Sequence, residues 1–275
     1  MYLRQGRLPQ AIEFWKSALA RTEKASSLKS SRYASRGEGR VSSSGELTLL
    51  IGVDSRFAAG YSQKALELLR QGRYEEAIPY LQDALKANAD DSAARVNLGY
   101  ALAKLGRMEE AAEVWRNALV RDPLLAAASR NLSLAYEKMG RFDEAVAVLQ
   151  SALRGKTDTA EIYSRMGRVF WLQGRSAEAE AAYRQSIQSR PGFAPGHNDL
   201  GLVLLKQNKL QEAIAQFLTA LKAEPNSPAA RFNLGLALLA QGSFSDAARE
   251  YEAARTQTPG DIDVQVNLGY CQARL

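Results

Sequence analysis

The chain has 275 residues, of which 24% are charged, and a formal net charge of +6. Its single cysteine excludes an internal disulfide and a cysteine metal cluster, and no apolar run reaches membrane-spanning length. Residues 1–57 hold 10 Lys/Arg against 5 Asp/Glu, whereas the rest of the chain holds 26 against 25. This distribution argues against a nucleic-acid-binding groove, which concentrates positive charge along one face.

The chain begins with residues 1–25, which read as the second half of a helical repeat found again further along. Residues 26–57 follow as a linker rich in Ser, Lys and Arg, a composition typical of a flexible segment. The apolar stretch 47–53 inside this linker is expected to fold back and cap the helical array. The residues of the first segment that have the spacing of the later copies are Gly6, Ala11, Trp15 and Ala18.

From residue 58 to residue 261 one pattern recurs six times, every 34 residues, without insertion or deletion. At the centre of each copy one apolar-periodic stretch ends and another begins, which predicts a helix stop, a turn and a helix start. Each copy is therefore expected to form a pair, a first helix and a second helix. Glycine accepts the left-handed conformation that ends a helix, and asparagine accepts it better than most other residues. The central residues are Gly72, Gly106, Gly140, Gly174, Asn208 and Gly242.

Small residues inside the first helices predict close contact within each pair. Gly99, Gly201 and Gly235 each cost roughly 0.5–1 kcal/mol relative to alanine, and close approach of two helices is the expected compensation. Residues 262–275 read as the first helix of a further, truncated repeat, so we expect a fragment of a longer protein, with self-association through this end as an alternative. The large residues that share one position of the second helices are Leu81, Trp115, Leu149, Tyr183, Phe217 and Tyr251.

The repeat resembles the tetratricopeptide repeat (TPR) family, whose W-x2-L-G-x2-Y…A-x3-F…P pattern has this period. The resemblance implies an all-α fold, a right-handed superhelical solenoid of antiparallel helix pairs. It also implies a concave surface lined by first helices, on which extended peptides bind. The clearest copy, residues 92–125, carries Leu98, Gly99, Gly106, Ala111, Trp115 and Pro123.

The same resemblance places particular side chains on the concave surface. Arginine and asparagine there could bond the carbonyls or carboxylates of a peptide, with Trp171 as an apolar anchor; an ordinary solvated face is the alternative. Toward the C-terminus the surface is apolar and would hold apolar side chains of a partner or pack against further repeats. The candidate partner-binding residues are Asn97, Tyr100, Arg130, Asn131, Lys138, Arg165, Arg168, Trp171, Phe232, Asn233, Leu236, Val266, Asn267 and Tyr270.

No pattern of catalytic residues emerges from the sequence. His197 is the only histidine and occupies a slot where a packing residue is expected. Paired carboxylates such as Glu109 and Glu110 fall at the starts of second helices, where negative charge complements the helix dipole. We therefore expect a protein that is not an enzyme and has no cofactor and no metal.

The leading hypothesis is a protein-interaction scaffold that binds a peptide or protein segment in the concave groove. The alternative is the substrate-recognition arm of a larger enzyme. The asparagines at one repeated position resemble the ladder in the repeat arm of O-linked N-acetylglucosamine transferases, although Arg165 and Asp199 interrupt it. Partners are expected to be proteins or peptides, with no specific nucleic acid and no membrane span, and a cytoplasmic location is expected.

Overall fold

The computed structural model describes residues 58–155 and 158–275, and this part of the chain is all α-helical apart from turns and a short 3-10 segment, Leu153–Gly155. The expected partial repeat at residues 1–25 and the expected linker at residues 26–57 lie outside the described residues. The α-helices are α1 (Ala58–Arg70), α2 (Tyr74–Ala87), α3 (Ser92–Lys104), α4 (Met108–Arg121), α5 (Ala126–Lys138), α6 (Phe142–Ala152), α7 (Thr159–Leu172), α8 (Ser176–Ser189), α9 (Ala194–Lys206), α10 (Leu210–Ala223), α11 (Pro228–Gln241), α12 (Phe244–Gln257) and α13 (Ile262–Gln272).

In each of the six copies the first helix ends one or two residues before the central residue, close to the predicted stop. Gly106 has φ +80°, and its N–H donates to the carbonyl of Ala103 at 3.1 Å while the N–H of Arg107 donates to that of Leu102 at 2.9 Å. These two bonds are those of a Schellman motif, which satisfies the last carbonyls of a helix. Asn208 has φ +60°, so this asparagine adopts the same left-handed conformation as the glycines of the other copies.

Acidic residues lie in the first turns of the second helices, where the sequence predicted them, and several have arginine partners. Arg107 donates from Nε and Nη2 to the two oxygens of Glu110, at 2.7 and 2.8 Å. These hydrogen bonds lower the pKa of the Glu110 carboxyl. The same pairing recurs between Arg73 and Glu76, Arg141 and Glu144, and Arg175 and Glu178.

Close contact within the pairs is confirmed at the glycines of the first helices. A Cβ built on Gly201 would lie 2.5 Å from Cε1 of Phe217, and one on Gly235 would lie 2.7 Å from Cε1 of Tyr251. We call this arrangement, a glycine under the ring of the residue sixteen positions later, the glycine notch. Two pairs in which the later residue is leucine have a larger residue than glycine at the notch position: Ala65 with Leu81, and Ser133 with Leu149.

The described helices fall into two compact units, which divide between Gln173 and Gly174. In the first unit each helix from α1 to α7 contacts the next one, and in the second unit each helix from α8 to α13 does so. Within each unit this is the consecutive stacking of helix pairs that the sequence predicted. In the described part of the chain no helix is both long enough and apolar enough to cross a bilayer.

Candidate protein-interaction surfaces

A charged cluster lies where the first helices α5 and α7 come together. Glu161 of α7 accepts from Arg165 one turn later, with Nε and Nη2 both 3.1 Å from its Oε1. The guanidinium of Arg130 in α5 reaches the same carboxylate, at 3.1 Å from Nε to Oε1 and 3.2 Å from Nη2 to Oε2. Asp158 lies further off, 3.7 Å from Arg130. One carboxylate is therefore shared by two arginines, and we call these four residues the arginine cluster.

Local backbone geometry and burial shape the arginine cluster. Asp158 precedes α7 with φ +54°, a left-handed conformation that aspartate tolerates better than most residues. The side chain of Arg165 is only 9% exposed. Burial lowers the pKa of its guanidinium, Glu161 opposes this effect and Arg130 adds to it, but arginine stays charged at neutral pH. A small cavity of about 20 Å³ lies against the cluster, about the size that holds one water molecule.

A second ion pair continues this face. Arg168 of α7 lies 2.8 Å from Glu137 of α5, the neighbouring Lys138 is exposed, and Trp171 is half-buried. The structure thus brings together the charged residues that the resemblance placed here, including Arg130 and Arg165. It also supplies their carboxylate partners from the chain itself.

Of three further predicted residues in the first unit, Asn97 and Asn131 are buried and Tyr100 is half-buried. Asn97 is 2% exposed and Asn131 is 0% exposed, so both are packed inside the first unit. Tyr100 is half-buried, with Tyr74 edge-on at 6.1 Å and the amino group of Lys104 5.4 Å from its ring centroid.

In the second unit an asparagine contact links neighbouring first helices. Asn233 of α11 donates from Nδ2 to Oδ1 of Asn198 in α9 at 2.8 Å, and Asn198 donates to Asp199 at 3.1 Å. Asn233 is fully buried, and its Oδ1 has no hydrogen-bond partner among the described residues. Asn267 of α13 is half-buried.

The predicted apolar strip of the second unit is partly core and partly surface. Phe232 is 4% exposed and packs edge-on against Tyr251 at 5.8 Å, and the half-buried Leu236 packs against the same core. Val266 is 40% exposed. Tyr270 is half-buried, with the Phe244 ring 6.3 Å away. The accessible part of the strip is therefore on α13.

Sequence reasoning missed an apolar groove of about 400 Å³ between the second helices α4 and α6, with α5 as its floor. Val120 on its rim is 77% exposed, and Leu119, Tyr136 and Val148 line it. The sequence does carry a signal for this groove. The residues equivalent to Val120 in the other copies are polar or charged: Lys86, Arg154, Gln188, Lys222 and Thr256.

His197 has the structural role expected from the sequence. Its Nδ1 lies 2.7 Å from Oε1 of Gln216 and its Nε2 lies 2.8 Å from the carbonyl oxygen of Pro191, so both ring nitrogens are engaged within the fold. Among the described residues no group of His, Cys, Asp and Glu side chains is placed to hold a metal ion.

Helix pairs repeated every 34 residues with a left-handed turn residue in each define a class of helical-repeat proteins. The family model of the tetratricopeptide repeat matches residues 62–126, 104–158, 130–193 and 198–262. Because these matches cover well over half of the chain, the chain belongs to the TPR family. The comparison with curated protein sequences gave no match.

Several solved structures have a similar fold. PilW, a type IV pilus biogenesis factor, is 21% identical with a TM-score of 0.65, over 77% of this chain and 98% of PilW. Pseudomonas aeruginosa pilF is 18% identical with a TM-score of 0.63, over 76% of this chain and 95% of pilF. YrrB, a TPR protein with an unusual peptide-binding site, is 19% identical with a TM-score of 0.50, over 67% of this chain and 95% of YrrB. At these identities the likeness concerns the fold.

Proposed function

We propose that the chain is a non-enzymatic scaffold that binds an extended, acidic segment of a partner protein across the first helices α5 and α7. The observation that carries this proposal is the shared carboxylate of the arginine cluster. The guanidinium groups of Arg130 and Arg165 converge on the carboxylate of Glu161, and Asp158 lies 3.7 Å from Arg130. A carboxylate from a partner would exchange with one of these acids, since guanidinium groups bind carboxylates with two parallel hydrogen bonds.

The surroundings of the cluster favour such a ligand. Arg168, which is paired with Glu137, and the exposed Lys138 continue the same face, so that an extended segment would meet two further cations beside the cluster. Trp171 offers an apolar surface beside them, and aromatic residues are common anchors in protein interfaces. The attraction within a largely buried ion pair does not always repay the desolvation of its charges, so exchanging these acids for a partner's acids would cost the fold little.

In the second unit we assign the accessible Val266 and Tyr270 to contacts with apolar side chains, because water disfavours leaving apolar surface exposed. The peptide-binding site named for YrrB is in line with use of this fold for peptide recognition, but the fold alone does not select the ligand. A cytoplasmic location remains a prediction from the sequence.

Affinity capture from the native lysate with three forms of the chain tests the proposal. The forms are the wild type, the charge reversal Arg168→Glu/Lys138→Glu, and the control Arg255→Glu/Lys222→Glu. The control makes the same charge change on second helices of the other unit. We expect the wild type and the control to capture a set of partners that the charge reversal does not capture. Those partners should carry acidic segments.

A synthetic peptide of the acidic segment then tests direct binding. Its affinity should fall at least about tenfold for the charge reversal, because each lost charge-assisted bond removes about 1.5–3 kcal/mol. Equal binding by the charge reversal and the control would refute the assignment of the site to α5 and α7. In that case the apolar groove between α4 and α6 becomes the next candidate.

A further inference from the structure

In four of the described first helices, the side chain of the fourth residue reaches back to the turn that precedes the helix. Arg231 of α11, for example, donates from Nη2 to the carbonyl oxygen of Pro225, six residues earlier, at 2.8 Å. A long side chain with a nitrogen near its end is needed to span this gap. The other pairs of this kind are His197 with Pro191, Gln265 with Pro259 and Arg95 with Ala89.

Two of these side chains also reach the second helix of their own pair. Nη1 of Arg231 lies 3.2 Å from Oε2 of Glu250 in α12, and Nδ1 of His197 lies 2.7 Å from Oε1 of Gln216 in α10. Each of them therefore bridges a turn carbonyl on one side and a second helix on the other. We call this arrangement the turn bridge.

The copy that begins with α5 lacks the turn bridge. Its fourth residue is Ser129, which is too short to span the gap to Pro123, and Val148 stands where Gln216 and Glu250 stand in the later copies. Ser129, Pro123 and Val148 all line the apolar groove of about 400 Å³ between α4 and α6. The groove therefore lies where a bridging side chain lies in other copies, and an occupant from outside would take the place of that side chain.

The charges of the groove favour a neutral occupant. The two ionic side chains that line it, Arg116 and Glu144, are of opposite sign. Arg116 lies 2.8 Å from Glu113, and Glu144 accepts from Nε of Arg141 at 2.7 Å, so each already has a partner. The rest of the lining is mainly apolar, and Val120 on the rim is 77% exposed. An added charge would lose hydration there without gaining a partner.

The exposed Pro123 adds one hydrogen-bond acceptor to this apolar surface, because its carbonyl has the position of those that accept from the turn bridges. An occupant that fits is neutral and apolar and carries one donor. Indole meets these conditions, since its N–H donates and the ring has no acceptor to leave unpaired. The chain itself uses this bond elsewhere: Nε1 of Trp115 donates to the carbonyl of Val96 at 3.0 Å.

We propose that the groove between α4 and α6 binds a tryptophan side chain of a partner protein, with the ring against Val120 and Val148 and the indole N–H donating to the carbonyl of Pro123. Tryptophan is among the residues most enriched where binding energy concentrates in protein interfaces. Phenylalanine would leave the carbonyl without a donor. This site is separate from the charged face of α5 and α7.

Methyl NMR of the full chain, titrated with N-acetyl-tryptophan amide, tests the proposal. We expect shifts at the methyl groups of Leu119, Val120 and Val148 at millimolar probe, as suits a ligand of this size. The analogue methylated at the indole nitrogen should bind at least about fivefold more weakly, because the carbonyl then has no donor. Ser129→Gln, patterned on Gln265, should fill the groove and weaken binding at least about tenfold.

A matched pair of surface variants keeps the test decisive if Ser129→Gln does not fold. Val120→Lys, which places a charge on the rim, should weaken binding of the probe at least about threefold. Leu218→Lys makes a similar change at an exposed position of α10 in the other unit and should bind the probe as the wild type does. Equal binding by the two variants would refute the location of the site.

Three other results would also overturn the proposal. One is the absence of shifts at these methyl groups up to the solubility limit of the probe. Another is equal affinity for the methylated analogue or for N-acetyl-phenylalanine amide, which would show an apolar contact without the hydrogen bond to Pro123. The third is tighter binding of free tryptophan than of the blocked amide, which would assign the groove to the amino acid and not to a residue of a partner protein.

Discussion

The glycine notch at Gly201 gives a prediction that opposes helix propensity. In an ordinary helix, replacing this glycine by alanine would stabilise the protein by roughly 0.5–1 kcal/mol. Here the new Cβ would lie 2.5 Å from Cε1 and 2.8 Å from Cδ1 of Phe217, and the ring is fully buried. Overpacking of this kind costs about 1–3 kcal/mol, so we expect Gly201→Ala to lower the stability of the second unit by about 1–2 kcal/mol.

Repeat arrays do not always unfold in a single step. The rate of amide hydrogen exchange in α9 and α10 is therefore a better measurement than the midpoint of a global unfolding curve. A loss of 1–2 kcal/mol corresponds to roughly 5–30-fold faster exchange. Gly60→Ala is the matched control, because no heavy atom lies within 4 Å of its built Cβ, and it should be neutral or stabilising. Gly201→Ala/Phe217→Leu should recover most of the loss. Wild-type protection in Gly201→Ala, or no recovery in the double variant, would refute the size matching on which the notch rests.

Two further predictions concern backbone strain and burial. Gly106→Ala should lower the free energy of unfolding of the first unit by about 1–2 kcal/mol, because alanine resists φ +80°. Gly106→Asn should lower it by less. Equal losses of unfolding free energy in the two variants, measured by urea unfolding, would contradict this account. Burial raises the pKa of the Cys271 thiol, and the thiolate is the reactive form. Alkylation by iodoacetamide at pH 8 should therefore be at least about tenfold slower in the native chain than in urea and should accelerate as the pH rises; equal rates would show that α13 is open.

The period of the repeat made the helices and their turns predictable. A helix stop at Gly106 follows from one residue's conformational freedom and from the apolar period on either side, so the sequence contains the information locally. The identity of the large residue at Trp115 likewise predicts close packing on a first helix. These features depend on neighbours at a fixed spacing in the chain.

The accessibility of side chains was less predictable, because it depends on what the same residue types contact in space. The resemblance placed Asn131 on a binding surface, and it is fully buried. It placed Arg130 and Arg165 on one surface, but it gave no indication that the carboxylate of Glu161 lies between them. The groove beside Val120 was missed because its neighbours come from three different helices.

Departures from the repeat provide a final test of the arginine cluster. Arg165 occupies a position held by asparagine in four other copies, and Glu161 occupies one where Ala127 and Ala229 stand in others. Burying a charged pair costs desolvation that its attraction does not always repay, so stability alone gives little reason for the exchange. We therefore expect Glu161→Ala/Arg165→Asn, which restores the common residues, to leave the unfolding free energy within about 1 kcal/mol of wild type or to raise it. Binding of the acidic partner segment should fall at least about tenfold, as measured by titration calorimetry. A large loss of stability with unchanged binding would show instead that the cluster is structural, and the proposed site on α5 and α7 would be wrong.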